Sequence, residues 1–257
     1  MLFMLLLYYM AFTFKHLSKT LAWCLDFVLP KDCLGCGKEG IHLCPECFNS
    51  LPTTKSIACF ICGQRSPSGQ TCQNCRHKHH PYIQGILVAS DWNNLLLRQI
   101  IYEYKYRFIK DLADPVSQLM INFLQTNKPA NWQADQLIII PVPLHPRRFA
   151  WRGFNQAEVL AKKIGDCSNA PCDNNILIRR RYALPQREIT DQKTRIKNIA
   201  AAFALSPKLN LADNLVKNKI IILVDDVCAT GSTLEDCARA LKPLGPKEIW
   251  GLVIARG

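Results

Sequence analysis

The sequence predicts an α/β domain with a mainly parallel sheet, preceded by a small zinc-binding module. Four Cys-x-x-Cys pairs lie within 43 residues near the start of the chain, and this spacing is typical of metal binding. Apolar runs that predict strands then alternate with stretches of helical periodicity. We therefore expect an apolar tail and helix over residues 1–29, the zinc module over residues 30–80 and the α/β domain over residues 81–257.

Composition narrows the classes of protein to consider. Of the 257 residues, 49% are hydrophobic and 20% are charged, which excludes a disordered or collagen-like chain. The formal net charge is +12, which favours an anionic partner without distinguishing nucleic acid, a nucleotide phosphate and a membrane surface.

Residues 1–12 are almost entirely apolar. A run of this length is shorter than the roughly 20 residues that span a bilayer. The first lysines, Lys15 and Lys19, follow the run, whereas a signal peptide carries its positive charge before it. We therefore expect no stable membrane insertion, and Met4 and Met10 are alternatives to Met1 as the start of translation.

The paired cysteines predict two structural zinc sites. Each Cys-x-x-Cys turn directs two sulfurs to one point, and two turns complete a tetrahedral shell that leaves no open position for catalysis. Sequential and interleaved pairing of the turns are both open. Zinc thiolates also indicate a reducing compartment, so we expect a cytoplasmic protein. The eight predicted ligands are Cys33, Cys36, Cys44, Cys47, Cys59, Cys62, Cys72 and Cys75.

Apolar runs predict the elements of the α/β domain. Leu137–Ile140 is short and wholly apolar, which is typical of a strand buried on both faces of a parallel sheet. The run Lys219–Asp225 predicts the strongest strand of the chain. Further strands are expected at Ile86–Ser90, Ile176–Ile178, Ala200–Ala204 and Ile249–Ala255. Helical spacing predicts helices over Asn94–Phe108, Asp114–Gln125, Asn155–Ile164 and Thr233–Leu241.

The segment Val224–Thr233 combines features of a ribose phosphate site. Small residues around Gly231 leave backbone N–H groups open, and the segment runs into the N-terminus of a predicted helix, where the helix dipole favours an anion. The adjacent carboxylates of Asp225 and Asp226 suit a sugar diol, Mg²⁺ or a developing cation. The chain has no Walker nucleotide loop and no dinucleotide fingerprint after a strand.

This segment resembles the phosphoribosyl pyrophosphate (PRPP) motif of type I phosphoribosyltransferases. Other segments narrow the resemblance to the ComF family, whose members are linked to natural competence and the use of external DNA. These segments are Pro141–Arg148, Arg152–Gln156, Gln186, Arg195–Asn198 and Ala202–Phe203. The resemblance covers about residue 24 to the end, and it implies a Rossmann-like type I phosphoribosyltransferase domain behind a double zinc ribbon. One departure is Ala229, where the family often has Thr.

The resemblance implies a role for each group of residues. Asp225 and Asp226 would be catalytic, because they hold the ribose hydroxyls and stabilise an oxocarbenium-like transition state. Mg²⁺ would accompany PRPP. A flexible loop within Arg179–Asn198 would close over the site and exclude water. The other implied residues are Ala229, Thr230, Gly231, Ser232 and Thr233 for the 5-phosphate, Pro141, Val142, Pro143, Arg147, Arg148 and Arg152 for the pyrophosphate loop, and Gln186, Arg195 and Asn198 for the flexible loop.

The positive charge is concentrated beside these segments. Residues 145–200 hold 12 Lys and Arg against 5 Asp and Glu, so +7 of the net +12 lies there. We expect this charge to serve the several negative charges of PRPP. The alternative is a groove for single-stranded DNA, in which aromatic side chains stack on bases. The candidates for stacking are Phe149, Trp151, Phe154 and Tyr182; for Trp151 and Phe154 the alternative is that they anchor the loop to the core.

Three functions fit these observations. The first is a phosphoribosyltransferase of the ComF type, in which an unknown acceptor displaces pyrophosphate from C1 of PRPP, acting in DNA uptake and transformation. The second is a non-catalytic competence factor that binds PRPP or single-stranded DNA and contacts the DNA-uptake machinery. The third is a regulator that senses nucleotides through a PRPP site. Lys105, in the predicted helix Asn94–Phe108, is expected either at the site or on the helix surface.

Overall fold

The computed structural model describes residues 31–54, 58–180, 202–209 and 215–257. These residues form two compact units, divided between Ser50 and Leu51. The predicted tail and helix over residues 1–29 lie outside the described residues. The predicted domain boundary at residue 80 stays a prediction.

Two cysteine-rich segments each contain one short helix. In the first unit, α1 (Pro45–Asn49) begins after Cys44, and in the second unit α2 (Gln73–His79) begins after Cys72. Both cysteines adopt an extended conformation at the N-cap position. The two segments therefore have the same local structure, a cysteine at the N-cap of a short helix, although they lie in different units.

A four-stranded parallel sheet forms the centre of the second unit. Its spatial order is β1-β6-β5-β2, and every neighbouring pair is parallel. A separate antiparallel pair joins β3 to β4. The strands are β1 (Gly85–Asp91), β2 (Leu137–Pro141), β3 (Leu177–Arg179), β4 (Phe203–Leu205), β5 (Ile220–Cys228) and β6 (Glu248–Arg256). The mainly parallel α/β fold predicted from the sequence is confirmed.

Helices alternate with these strands along the chain. Asn94 caps the first of them, because its side-chain oxygen accepts a hydrogen bond from the Leu97 amide at 2.8 Å. The apolar positions expected from helical spacing are buried in that helix, including Ile100 and Tyr104. The helices of the α/β domain are α3 (Leu95–Tyr106), α4 (Ala113–Asn127), α5 (Pro146–Arg152), α6 (Gln156–Ser168) and α7 (Ser232–Leu241).

Two layers of helix cover the sheet. Alternate strand residues such as Ile221, Leu223 and Val253 belong to one buried cluster with Leu234 and Leu241 of α7. The intervening residues point to the opposite face of the sheet. Helices α4 and α6 pack against each other, α4 packs on β1 and β6, and α6 packs on β2 and β5. Both faces of the sheet are therefore buried, as the wholly apolar strand sequences predict.

Two features differ from the sequence prediction. Strand β5 continues to Cys228, because Val227 and Cys228 pair with Ala255 and Arg256 of β6. Asp226 therefore lies in a strand rather than in the loop after it. Helix α5 was not predicted; none of its residues is buried, so it carries no apolar stripe in the sequence.

Candidate functional site

The eight paired cysteines form two separate groups. Within each group, the four sulfur atoms lie within 4.8 Å of one another. The first node consists of Cys33, Cys36, Cys44 and Cys47, and the second node consists of Cys59, Cys62, Cys72 and Cys75. Of the two pairings left open by the sequence, the structure has the sequential one.

The backbone of both nodes suits a tetrahedral thiolate site. Gly37 donates to the Cys33 carbonyl at 2.8 Å, and Gly63 donates to the Cys59 carbonyl at 2.9 Å. Both glycines have a φ of 75°, which closes the turn under the sulfurs. The Cys44 amide also donates to the Cys33 sulfur at 3.3 Å, as expected for a thiolate. Four sulfurs in such a turn are the ligand set that zinc prefers, and the sites are structural.

Removing one ligand from one node is expected to remove one metal ion. Freshly reduced wild-type protein should hold about two zinc ions per chain, one for each four-thiolate shell. Cys62→Ser should hold about one zinc, whereas Cys167→Ser, at an exposed cysteine outside both nodes, should hold about two. Elemental analysis checks this, and a wild-type content clearly below two would contradict the two-node arrangement.

The candidate chemical site lies at the carboxyl end of the parallel sheet. There Asp225 and Asp226 stand next to each other within the last four residues of β5. The Lys105 ammonium of α3 lies 2.8 Å from the Asp226 carboxylate. Lys105, which sequence reasoning placed either here or on the helix surface, is therefore part of the carboxylate site.

Asp225 has an unusual environment for a carboxylate. Burial and the adjacent negative charge of Asp226 raise the pKa of Asp225 to about 7, although Lys105 and Arg179 oppose this shift. The Asp226 amide also donates to the Asp225 carboxylate at 2.8 Å. A carboxylate that ionises near neutral pH at the end of a parallel strand is typical of a functional site.

The raised pKa of Asp225 predicts a pH-dependent contribution to stability. The native state binds this proton more tightly than the unfolded chain does, so the contribution is fully present below about pH 4 and is lost as the pH rises through about 7. Asp225→Asn removes the charge, and it should gain about 2 kcal/mol in unfolding free energy over wild type between pH 5 and pH 8. Denaturant unfolding at several pH values measures the difference, and a difference that does not change with pH would refute this explanation.

The loop after β5 has the backbone of an anion-binding turn. Gly231 has a φ of 83° and is the N-cap of α7, so the loop leads directly into a helix N-terminus. Thr230 donates its hydroxyl to Ser232 Oγ at 2.9 Å. The five residues Ala229–Thr233 thus bring hydroxyls and backbone amides together beside the carboxylates; we call them the phosphate loop.

The segment after β2 lies beside the carboxylates. Pro141 is the last residue of β2, and the Val142 amide donates to the Val224 carbonyl of β5 at 2.9 Å. The side chain of Asn155 fixes the same segment by donating to the Val142 carbonyl at 3.1 Å. Val142 is therefore held beside Val224, the residue directly before Asp225 in β5.

Three of the predicted arginines, Arg147, Arg148 and Arg152, belong to α5, the helix that follows this segment. Burial and the positive charges of Arg179, Arg147 and Arg148 lower the pKa of His145, which places all three cations near that imidazole. Arg152 donates to the Gln156 side chain at 2.9 Å, and its own pKa is lowered by burial but raised by Asp226. Arg147, Arg148 and Arg152 thus share one short helix, and the charge of Asp226 acts on Arg152.

Sequence reasoning did not single out Arg179 as a site residue. It was the first residue of the predicted flexible segment, but the structure places it in β3, with its guanidinium over the Phe203 ring at 5.1 Å. Its Nε atom is buried without a hydrogen-bond partner. A strand of three residues gives too short a pattern to reveal this. Gln186, Arg195 and Asn198 of the predicted flexible loop lie outside the described residues, as does Tyr182.

Aromatic side chains form a strip next to the arginines. Trp151 is 60% exposed and its ring lies 6.4 Å from Tyr106 and 5.1 Å from Phe108. Tyr106 in turn lies 5.1 Å from Tyr102. We call Tyr102, Tyr106, Phe108 and Trp151 the aromatic strip.

One predicted stacking residue is unavailable. Phe154 is buried against Tyr104, with ring centroids 5.8 Å apart, so of its two expected roles it has the one that anchors the segment to the core. Phe149 remains 47% exposed. Phe154 is buried because one face of the Arg152–Gln156 turn packs on the core, whereas Phe149 lies outside this turn. The sequence does not reveal which face this is.

The described helices include none that is both long and apolar enough to cross a membrane.

Comparisons with known proteins match the two parts of the chain separately. Residues 24–76 match the double zinc ribbon domain, and residues 152–256 match the phosphoribosyl transferase domain. The first match covers both cysteine nodes, and the second covers the carboxylates and the phosphate loop.

Curated relatives match most of the chain. Competence protein F of Haemophilus influenzae is 28% identical, over 82% of this chain and 96% of its own length. DNA utilization protein YhgH of Escherichia coli K12 is 27% identical, over 85% of this chain and 92% of its own length. Competence protein ComFC of Bacillus subtilis is 24% identical, over 90% of this chain and 87% of its own length.

The two domain matches lie one after the other along the chain, and the similarity to each relative extends over most of that relative's length. The chain therefore matches a double zinc ribbon domain followed by a phosphoribosyl transferase domain, and it is similar over most of its length to competence and DNA utilization proteins.

Proposed function

We propose that the chain binds PRPP and transfers its phosphoribosyl group to an acceptor in a process that handles external DNA. The observation that carries this proposal is the juxtaposition at the end of β5. Asp225 and Asp226 stand directly before the phosphate loop, and that loop opens a helix N-terminus. The names of the relatives support the link to competence and DNA utilization.

The roles of the residues follow from their positions. The phosphate loop binds the 5-phosphate of the ribose through its amides and hydroxyls. The two carboxylates accept hydrogen bonds from the ribose hydroxyls and stabilise the positive charge that develops at C1. The segment Pro141–Pro143, with Arg147, Arg148 and Arg152 beside it, receives the pyrophosphate.

The reaction displaces pyrophosphate. A nucleophilic atom of the acceptor forms a bond to C1 while the bond from C1 to the pyrophosphate oxygen breaks, and the electron pair leaves with pyrophosphate. Mg²⁺ brought in with PRPP would supply positive charge that stabilises the leaving pyrophosphate. Lys105 holds Asp226 in place, and the arginines stabilise the leaving group. Closure of the flexible loop, through Gln186, Arg195 and Asn198, excludes water.

The two zinc thiolate sites favour a reducing compartment. Eight thiols in two zinc shells stay intact where glutathione and thioredoxin keep cysteine reduced, so we place the protein in the cytoplasm. The non-catalytic alternatives are a PRPP-binding competence factor and a nucleotide-sensing regulator, which need the same ligand site.

Pyrophosphate release separates catalysis from binding. Purified protein is incubated with PRPP, Mg²⁺ and a panel of bases, and binding of PRPP is measured in parallel by calorimetry. If the protein transfers the phosphoribosyl group, pyrophosphate should be released only when the base that acts as the acceptor is present. PRPP binding without release for any base would instead favour the non-catalytic alternatives, and absence of PRPP binding would refute the ligand site itself.

The aromatic strip favours single-stranded DNA as a second ligand. The guanidinium of Arg152 lies 5.5 Å from the Tyr106 ring and 5.9 Å from the Trp151 ring. Exposed aromatic rings beside cations are the arrangement that binds single strands without sequence preference. Base stacking then supplies affinity, and the arginines contact the phosphates.

Trp151→Ala is expected to weaken single-stranded DNA binding about tenfold, since stacking on one aromatic contributes about 1–3 kcal/mol. Tyr82→Ala is the matched control, because Tyr82 is 42% exposed but lies outside the strip. Gel shifts at two salt concentrations measure the affinity, which should fall steeply with salt. Equal losses in the two variants, or an affinity that does not depend on salt, would exclude this role for the strip.

A further inference from the structure

The second node lies directly against the phosphate loop. Phe60, between two of its cysteines, is only 7% exposed and belongs to the buried cluster that also contains Ile86 and Leu234. A Cβ atom added at Gly231 would lie 3.1 Å from Phe60 Cδ2 and 3.0 Å from Ile86 Cδ1. The ring of Phe60 therefore packs on the backbone of the loop itself.

One arginine joins the node to the loop. Arg256, at the end of β6, donates from Nη2 to the Phe60 carbonyl at 2.7 Å and from Nε to the Ala229 carbonyl at 3.2 Å. The guanidinium is planar and holds its donors in a fixed fork. It thus fixes the distance between the backbone of the second node and the first residue of the phosphate loop.

Anchoring these carbonyls also orients the amides of the loop. In a trans peptide the C=O and the following N–H point in opposite directions. The Ala229 carbonyl is held by Arg256, and the Cys228 carbonyl accepts from the Gly257 amide at 3.0 Å. The amides of Ala229 and Thr230 are therefore directed away from β6.

A third contact connects the chain after the second node to helix α7. The Glu235 carboxylate, in the first turn of α7, accepts hydrogen bonds from the amides of Tyr82 and Ile83, the latter at 3.2 Å. These residues follow α2, which carries Cys75. The N-terminus of α7 and the loop before it are thus supported at both ends by the chain around the second node.

We propose that the second node is a structural part of the phosphate site. Arg256 and Phe60 are the positioning residues through which the folded node fixes the backbone conformation of the phosphate loop. The inference rests on the proposed binding of a ribose 5-phosphate group at that loop. It assigns different roles to the two nodes, since the second node is needed for a tight phosphate site and the first node is not.

Matched variants at the two nodes test this. Cys62→Ser and Cys36→Ser remove the same position of the first turn in each node, and both cysteines are exposed. Calorimetry measures the affinity for ribose 5-phosphate and for inorganic pyrophosphate in Mg²⁺. Cys62→Ser should weaken ribose 5-phosphate binding at least about tenfold and leave pyrophosphate binding within about twofold, whereas Cys36→Ser should change neither.

Variants of the bridge separate positioning from general destabilisation. Arg256→Met removes both donors, and Arg256→Lys keeps the charge without the fork. Both should lose affinity for ribose 5-phosphate while retaining that for pyrophosphate. Full affinity in Arg256→Lys, or equal losses for both ligands, would overturn the proposed bridge.

Hydrogen exchange tests the connection between the second node and the phosphate loop in the absence of ligand. Without ligand, the amides of Glu235 and Gly257, which donate to the Gly231 and Cys228 carbonyls at the two ends of the loop, should exchange at least about tenfold faster in Cys62→Ser than in wild type. Their exchange should be unchanged in Cys36→Ser. Unchanged exchange in Cys62→Ser overturns the inference whatever the ligand does. Faster exchange in a protein whose wild type does not bind ribose 5-phosphate supports the connection between node and loop and refutes the proposed function instead.

Discussion

Replacing both carboxylates, as Asp225→Asn/Asp226→Asn, is expected to weaken PRPP binding by about 100-fold or more. A hydrogen bond to a charged group contributes about 1.5–3 kcal/mol, and each 1.4 kcal/mol is about tenfold in affinity. Two such bonds to the ribose hydroxyls therefore account for at least two orders of magnitude. The amide oxygens of asparagine still accept from the Asp226 and Val227 backbone amides that the carboxylates now bind, so the strand end should keep its shape.

Calorimetric titration with PRPP and Mg²⁺ measures the loss. Asp166→Asn is the control, because Asp166 is an exposed carboxylate of α6 outside the site, and it should bind like wild type. Retention of affinity within about threefold in the double variant would mean that the carboxylates do not contact the ligand.

Gly85→Ala is expected to destabilise the second unit by about 3 kcal/mol, within the range of overpacked cores. A Cβ atom at Gly85 would lie 2.3 Å from the Gly69 carbonyl oxygen and 2.9 Å from Gln70 Cα. Both are backbone atoms, so no rotation of a side chain relieves the clash. Gln70 and Gly85 form an isolated bridge in which the chain between two cysteines of the second node meets β1.

Thermal unfolding measures the effect of Gly85→Ala, which should lower Tm by about 10 °C for a unit of this size. Gly257→Ala is the matched control, since a Cβ atom there meets only the Trp92 ring, at 3.3 Å. A change in Tm as small as that of the control would show that the node segment does not pack closely on β1.

Local pattern was enough to predict the sheet. Strand β2 and the first five residues of β5, Ile220–Val224, are wholly apolar and buried, so their sequence and their environment coincide. The phosphate loop was also predictable, because its residues are consecutive. The extension of β5 to Cys228 was not, since it depends on pairing with β6 beyond the apolar run.

Contacts between distant residues could not be predicted from pattern. Lys105 meets Asp226 across two elements, and in sequence it is one more polar residue of an amphipathic helix. Arg256 and Phe60 are 196 positions apart, and Arg256 donates to the backbone carbonyl of Phe60. Every residue has such a carbonyl, so the type of residue at position 60 does not reveal the hydrogen bond. The burial of Phe154 and the sequential pairing of the cysteines likewise depend on how the chain folds back in space.

The most direct test of the central claim is a crystal structure of the protein with PRPP and Mg²⁺. The account predicts the 5-phosphate on the amides of Ala229–Thr233, the ribose hydroxyls on Asp225 and Asp226, and the pyrophosphate beside Pro141–Pro143. A complex in which PRPP binds elsewhere, or with its ribose away from both carboxylates, would contradict it.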